Sequence, residues 1–282
     1  MPERVELPRI SLLTQAAMAT VLAIAGCVLS ASGADAAASV AHPAWASVQS
    51  ATVHPGVSVQ VGNSPVCRAG FILTDGTRAF IAIPASCAGT GPADNSKCDV
   101  GQDPVGTPVT IGGAKHEGKL VYSSITQMEL RSETRVNRCT YNDLALVRID
   151  RRDVKRTNPS VPMLGGPTGV SKDQPAAPDQ LSVYLTTASN AQALNTTGGG
   201  WSHAMMVDGP VASADLGGPV LTSNGKALGM VSGVPTANGR TLVNNFHHEV
   251  RYLQTVKKFA DVHLAKGTAK FSPMLPLLST LF

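Results

Sequence analysis

Short apolar runs separated by tight-turn dipeptides recur through the middle of this chain, and that pattern admits little besides antiparallel β-structure. Phe71-Ile72-Leu73-Thr74 is followed by Asp75-Gly76 and then by Arg78-Ala79-Phe80-Ile81-Ala82-Ile83. An Asp-Gly pair supplies the positive φ that a hairpin turn requires. Val220 to Ser223, Asn224-Gly225 and Lys226 to Val231 repeat the signal, and Thr236 to Val243 around Asn238-Gly239 reads as a third hairpin. Leu144 to Ile149 has the composition of a buried strand, and Leu181 to Leu185 alternates as a half-buried one. Twenty-seven glycines, nineteen prolines and only 15% charged residues suit a turn-rich β protein better than a helical bundle.

One segment carries a helical period. Over 248–265, Val250, Leu253, Val256, Ala260 and Leu264 recur at helical spacing, and Gly267 is placed to end the helix. The prolines between 151 and 179 read as a connector between two halves. Residues 37–56, rich in alanine, serine and proline, read as a loosely held N-terminal arm, and 266–282 as an apolar C-terminal tail.

The first 36 residues have the form of an export signal. Arg4 and Arg9 precede an apolar run from Ala16 to Leu29, and Ala34-Asp35-Ala36 is a small-x-small cleavage site. Ile24-Ala25-Gly26-Cys27 offers the alternative of a lipoprotein, with Cys27 lipidated, and a retained membrane helix is a third reading. Export is the preferred one, and with it a secreted or envelope location. The four remaining cysteines, Cys67, Cys87, Cys98 and Cys139, then read as two disulfides with three possible pairings. No metal or cofactor is expected: the cysteines lack close paired spacing, and the adjacent His247 and His248 point apart. The net charge of +4 is mild, and Arg151, Arg152, Lys155 and Arg156 lack interleaved aromatics, so nucleic acid is not an expected partner.

Three motifs in order carry a family resemblance. Cys67-Arg68-Ala69-Gly70 followed by Ile83-Pro84-Ala85-Ser86-Cys87 resembles the cysteine pair around the catalytic histidine of trypsin/chymotrypsin-like serine proteases. Asn142-Asp143-Leu144-Ala145-Leu146 resembles the segment bearing the triad aspartate, and Ala214-Asp215-Leu216-Gly217-Gly218-Pro219-Val220 resembles the nucleophile loop. The resemblance, to a bacterial secreted member, spans about 57–265. It implies an all-β fold of two antiparallel six-stranded barrels, about 57–150 and 165–246, with a C-terminal helix. It also implies a Cys67–Cys87 disulfide, which leaves Cys98–Cys139.

Carried over by position, the histidine is Ser86, the nucleophile is Leu216, and only Asp143 is retained. Leucine has no nucleophilic atom, and serine has no group that titrates near neutrality to act as a general base. The oxyanion-hole positions are Ala214, Asp215 and Leu216, with a methyl group where the family has its first glycine. The residue at the base of the specificity pocket falls on Pro210, and Ala212 stands where the family often has a cysteine. Asp143 is expected to accept hydrogen bonds from Ser86 and Ser232, and Asp215 to pair with an arginine or backbone amides. The expectation is an inactive homologue, monomeric, that binds a peptide or protein along the edge Ser232-Gly233-Val234. The alternatives are a hydrolase with a rearranged site, drawing on Ser213 or on His203 in a solvated loop, and an envelope-associated structural protein.

Overall fold

In the computed structural model the described residues are 43–90, 98 and 100–274. The signal segment, Cys27 and the residues beyond 274 lie outside them. The first half holds strands β1 (Ser58–Val61), β2 (Cys67–Arg68), β3 (Ile72–Thr74), β4 (Ala79–Ile83), β5 (Pro108–Ile111) and β6 (Gly118–Ser123). Helices α1 (Ser124–Leu130) and α2 (Val136–Tyr141) follow, then β7 (Ala145–Arg148). The second half holds β8 (Gln180–Tyr184), β9 (Ala188–Thr197), β10 (Ser202–Val207), β11 (Pro219–Thr222), β12 (Ala227–Gly233) and β13 (Arg240–Asn244). Helix α3 (Phe246–Leu253) and strand β14 (His263–Leu264) complete the chain.

The second half is a closed antiparallel barrel of six strands in the order β10-β13-β12-β11-β8-β9. The first half is an antiparallel sheet in the order β14-β3-β4-β7-β6-β5-β1-β2. Its β2 and β3 are two ends of one bent segment, 67–74. Within the bend, Gly70 N–H donates to the Ala82 carbonyl (2.8 Å) and Ala82 N–H to that of Phe71 (2.8 Å), while Ala69 N–H donates to Val57 (2.8 Å). The segment therefore serves β1 on one side and β4 on the other, which rolls the sheet back on itself. The expected hairpins are present: β3 pairs with β4 (Ile72 opposite Ile81) and β11 with β12 (Pro219 opposite Met230). The third turn, around Asn238-Gly239, joins β12 to β13.

Every β4 residue is buried, as a strand covered on both faces requires. Both disulfides form as the family resemblance implied, Cys67–Cys87 and Cys98–Cys139. The first ties β2 to the turn after β4, the second brings Cys98 to α2.

Three expectations are corrected. The C-terminal helix ends at Leu253 rather than reaching 265. Thr255 and Val256 are β-branched, and the Thr255 hydroxyl donates to the Tyr252 carbonyl (2.7 Å). The apolar residues beyond serve the sheet instead: Phe259 packs edge-on to Phe80 and Tyr122, and β14 adds to β3 with Leu264 opposite Leu73. The part of the arm that is described, from 43 to 56, is docked. Val53 is fully buried, its N–H donates to the Arg156 carbonyl (3.1 Å), and Asn158 N–H returns to its own carbonyl (2.9 Å). Helices α1 and α2 have no apolar period long enough to announce them. A serine cap marks α1, where the Ser123 hydroxyl accepts from Thr126 N–H (3.5 Å).

In the tail, Phe271 and Met274 pack against the core cluster that contains Phe71, Phe80 and Phe246. The connector's Arg152 pairs with Asp150 (2.9 Å) and Arg156 with Asp153 (3.7 Å), so two of its four cations have carboxylate partners.

Candidate functional site

Asp143 lies just before β7 and is 1% exposed. Its carboxylate accepts from the Ser86 backbone N–H (2.8 Å) and from the Ser86 hydroxyl (3.0 Å). Both oxygens are thereby engaged by a residue in the turn that the Cys67–Cys87 disulfide ties to β2. Ser86 thus sits against the carboxylate where the family resemblance puts an imidazole, and its hydroxyl proton is committed to an acceptor.

Asp143 is also fixed from behind. Its backbone N–H donates to Glu249 Oε1 (2.7 Å), and Glu249 Oε2 accepts from Asn244 Nδ2 (2.7 Å). Asn244 in turn accepts the Met230 N–H through Oδ1 (2.5 Å). Glu249 is fully buried on α3, so one carboxyl joins the first half of the fold, the helix and strands β12 and β13. Sequence reasoning passed over Glu249. The available signal was an acid in the stripe of Phe246, Val250 and Leu253, where an apolar residue is the default.

The segment leading to β11 carries Leu216. A short 3₁₀ turn, Ser213–Asp215, precedes it. Leu216 N–H donates back to the Ser213 carbonyl (3.2 Å), and Asp215 N–H to that of Ala212 (2.9 Å). An amide bonded inward in this way is not presented to an oxyanion. Ala214 is exposed at the tip of the turn. The half-buried Leu216 side chain packs against two core clusters, one holding Cys67, Ala85 and Cys87 of the first half, the other holding Val220 and Val231 of the second. It therefore fills the junction between the halves.

The loop is held to the first half by backbone and charge. Arg68 N–H donates to the Leu216 carbonyl (2.7 Å). Gly217 has φ +94°, and a Cβ there would stand 2.0 Å from the Arg68 carbonyl oxygen, so only glycine allows this approach. Asp215 forms an ion pair with Arg68 Nε (3.1 Å), and its other oxygen accepts from Ala212 N–H (3.0 Å). This is the arginine-plus-amide pairing expected of Asp215. Asp215→Asn keeps the shape and loses the charge at a mostly buried pair, so a stability loss of about 1–2 kcal/mol is expected in urea unfolding.

The edge Ser232-Gly233-Val234 closes β12. On one side Gly233 lies opposite Leu242 of β13. On the other, the pairing runs as far as Val231, which exchanges bonds with Gly217 and Gly218 (2.8 and 2.9 Å). Val234 is 44% exposed. Pro210 is exposed beyond the end of β10.

His203 departs from expectation. It belongs to β10, opposite Val243, and is 1% exposed rather than solvated in a loop. Its Nδ1 shares a hydrogen bond with the Thr196 hydroxyl (3.0 Å), while Nε2 has no partner. Burial, and secondarily the nearby His248, lowers its pKa from 6.5 to about 4. His203 stands two residues from Met205, a core residue of the second half, and so shares its face of the strand; Ser202–Val207 is buried continuously through Met205, and its sequence has no polar–apolar alternation to announce this.

No family model matches the sequence, and no curated protein is similar to it in sequence. Similar folds occur among solved structures. Thermobifida fusca protease A is 17% identical, with a TM-score of 0.49, and the match covers 76% of this chain and 99% of that one. The chymotrypsin of Cellulomonas bogoriensis is 15% identical, with a TM-score of 0.43, covering 76% and 98%. A glutamic-acid-specific serine protease is 13% identical, with a TM-score of 0.47, covering 76% and 100%. The chain is an all-β protein with one closed six-stranded antiparallel barrel and one rolled antiparallel sheet, and it is in this fold that it is similar to these serine proteases.

Proposed function

We propose that this chain is an exported, catalytically inactive homologue of the chymotrypsin-like serine proteases that binds an extended peptide or protein segment. One observation supports the reading: Ser86 bonds the buried Asp143 carboxylate, and Leu216 packs against the cluster holding Ala85 and Cys87; by their motifs these two residues fall where the family has its base and its nucleophile. Each oxygen of the Asp143 carboxylate accepts a hydrogen bond from Ser86, a residue without an imidazole. Acyl transfer needs a nucleophile and a base to take its proton, and neither residue supplies one. The inward bond of the Leu216 amide removes an oxyanion donor as well.

Binding outlives this loss because strand addition uses backbone groups. The rim Ser232-Gly233-Val234, at the end of the β12 pairing, is the strand that would accept a guest. Two disulfides fit an oxidising compartment. Among the described residues no helix is long and apolar enough to cross a membrane.

A fluorophosphonate probe and labelled casein test the catalytic half. The expected result is no covalent label and no hydrolysis, whereas a label on Ser86 or Ser213 overturns it. Fluorescent extended peptides test the binding half. Saturable binding that Val234→Pro weakens is expected, since proline removes one backbone donor. Failure of a diverse peptide set to bind, or indifference to Val234→Pro, rejects the edge.

A further inference from the structure

A concavity whose lining includes none of Ser86, Asp143, Leu216 or the edge Ser232-Gly233-Val234 is lined by cations and aromatic rings. It lies between α2, the turn into β10 and α3, encloses about 440 Å³, and is lined by Arg138, Trp201, His247, His248, Arg251 and Tyr252. Among the described residues that line it none is acidic. Glu249 shares α3 but is fully buried and bonds Asp143 and Asn244 instead. Trp201 forms one wall, with the His248 ring 5.2 Å from it between centroids. The Arg138 guanidinium lies 5.4 Å from the Trp201 ring and 5.2 Å from that of Tyr252.

The hydrogen-bonding capacity of this wall is not used up. Arg138 Nη1 bonds Glu133, but its Nε has no partner, nor do His248 Nδ1 or the Tyr252 hydroxyl. Tyr252 is only 6% exposed, so its hydroxyl is a buried group lacking a partner. These three atoms are themselves shielded from solvent and do not supply the cavity's donors; of its cationic lining, Arg251 is exposed. Arg138 is already paired with Glu133, so the arginine left to meet an anion is Arg251. Burial first, then the charges of His248, Lys172 and Arg251, hold the His247 imidazole below its ordinary pKa. A negative group entering here would meet Arg251 and two histidines, with Arg138 at the back.

We infer that this cavity binds a small oxyanion, a carboxylate or phosphate group, carried on a molecule that lies against the Trp201 ring. The site is independent of the peptide groove, and its test does not read that activity.

The experiment uses the full chain with Trp45→Phe, which leaves Trp201 as the reporter, since the chain has two tryptophans. Indole emission is followed at neutral pH during titration with benzoate, inorganic phosphate and the neutral benzamide. Saturable change with benzoate or phosphate is expected, and none with benzamide. Arg251→Gln is expected to weaken binding roughly tenfold, whereas Lys258→Gln, an exposed cation elsewhere, leaves it unchanged. Benzoate alone assigns a carboxylate, phosphate alone a phosphate group, and both together the oxyanion as such. The inference is overturned if neither anion saturates, if benzamide binds as well as benzoate, or if Arg251→Gln has no effect. It also falls if Lys258→Gln weakens binding as much as Arg251→Gln.

Discussion

Replacing Glu249 with alanine is expected to destabilise the protein by about 3 kcal/mol, with a fall in Tm on the order of 10 °C. The side chain is fully buried and accepts from both Asp143 N–H and Asn244 Nδ2. Truncation leaves two buried donors unpaired and opens a cavity under α3, and each unpaired donor costs about 1–3 kcal/mol. Glu249→Gln is the informative companion. Its single amide oxygen can replace one acceptor, but its NH₂ then opposes a donor. Asn244 could turn its own oxygen to meet it only by abandoning the Met230 N–H. The expected order of stability by chemical denaturation is therefore wild type, then Glu249→Gln, then Glu249→Ala. Equal stability of alanine variant and wild type would mean that the carboxyl does not tie the halves together.

Acidification from pH 6.5 to 4 is expected to remove about 3 kcal/mol of stability through His203 alone. The folded pKa is depressed, from 6.5 to about 4. Above pH 6.5 both folded and unfolded chains carry the neutral ring and there is no penalty. Between 6.5 and 4 the unfolded chain takes up a proton that the folded one refuses, so stability falls as pH falls. Below 4 both are protonated and the loss is complete. Carboxylates also titrate near the lower end, so the measurement is the difference from His203→Gln, which keeps a polar side chain without a titrating ring. Stability curves of the two proteins that run parallel from pH 6.5 to 4 would show that the imidazole is not held neutral. A ring so placed also makes a poor replacement base at neutral pH: it is neutral, but its buried Nε2 is not offered to the groove.

The legible and illegible parts of the site divide along a physical line. Asp143, Ser86 and Leu216 were readable because each sits in a local motif: a cysteine next to Ser86, an apolar strand after Asp143, a pair of glycines after Leu216. Gly217 shows the physical need for glycine there, since a methyl group would run into the Arg68 carbonyl. Arg68 was readable only as a class, an arginine or amides for Asp215. Glu249 and the cavity residues were not readable. Arg138, Trp201 and Arg251 come from three separate segments and share no spacing rule.

The sequence by itself determined the antiparallel hairpins, through alternating apolar residues and positive-φ turn residues, because these depend on neighbours a few positions away. The sequence alone left three cysteine pairings open; the family resemblance implied one of them, and the structure shows that one, Cys67–Cys87 with Cys98–Cys139. Only the tertiary structure decided that residues after Leu253 leave the helix for β14, that His203 is buried, and that Leu216 packs into both halves. Those outcomes depend on which surfaces remain uncovered once the barrel and the rolled sheet have formed, and burial of apolar area against a distant partner outweighs the weak preferences of a short local segment.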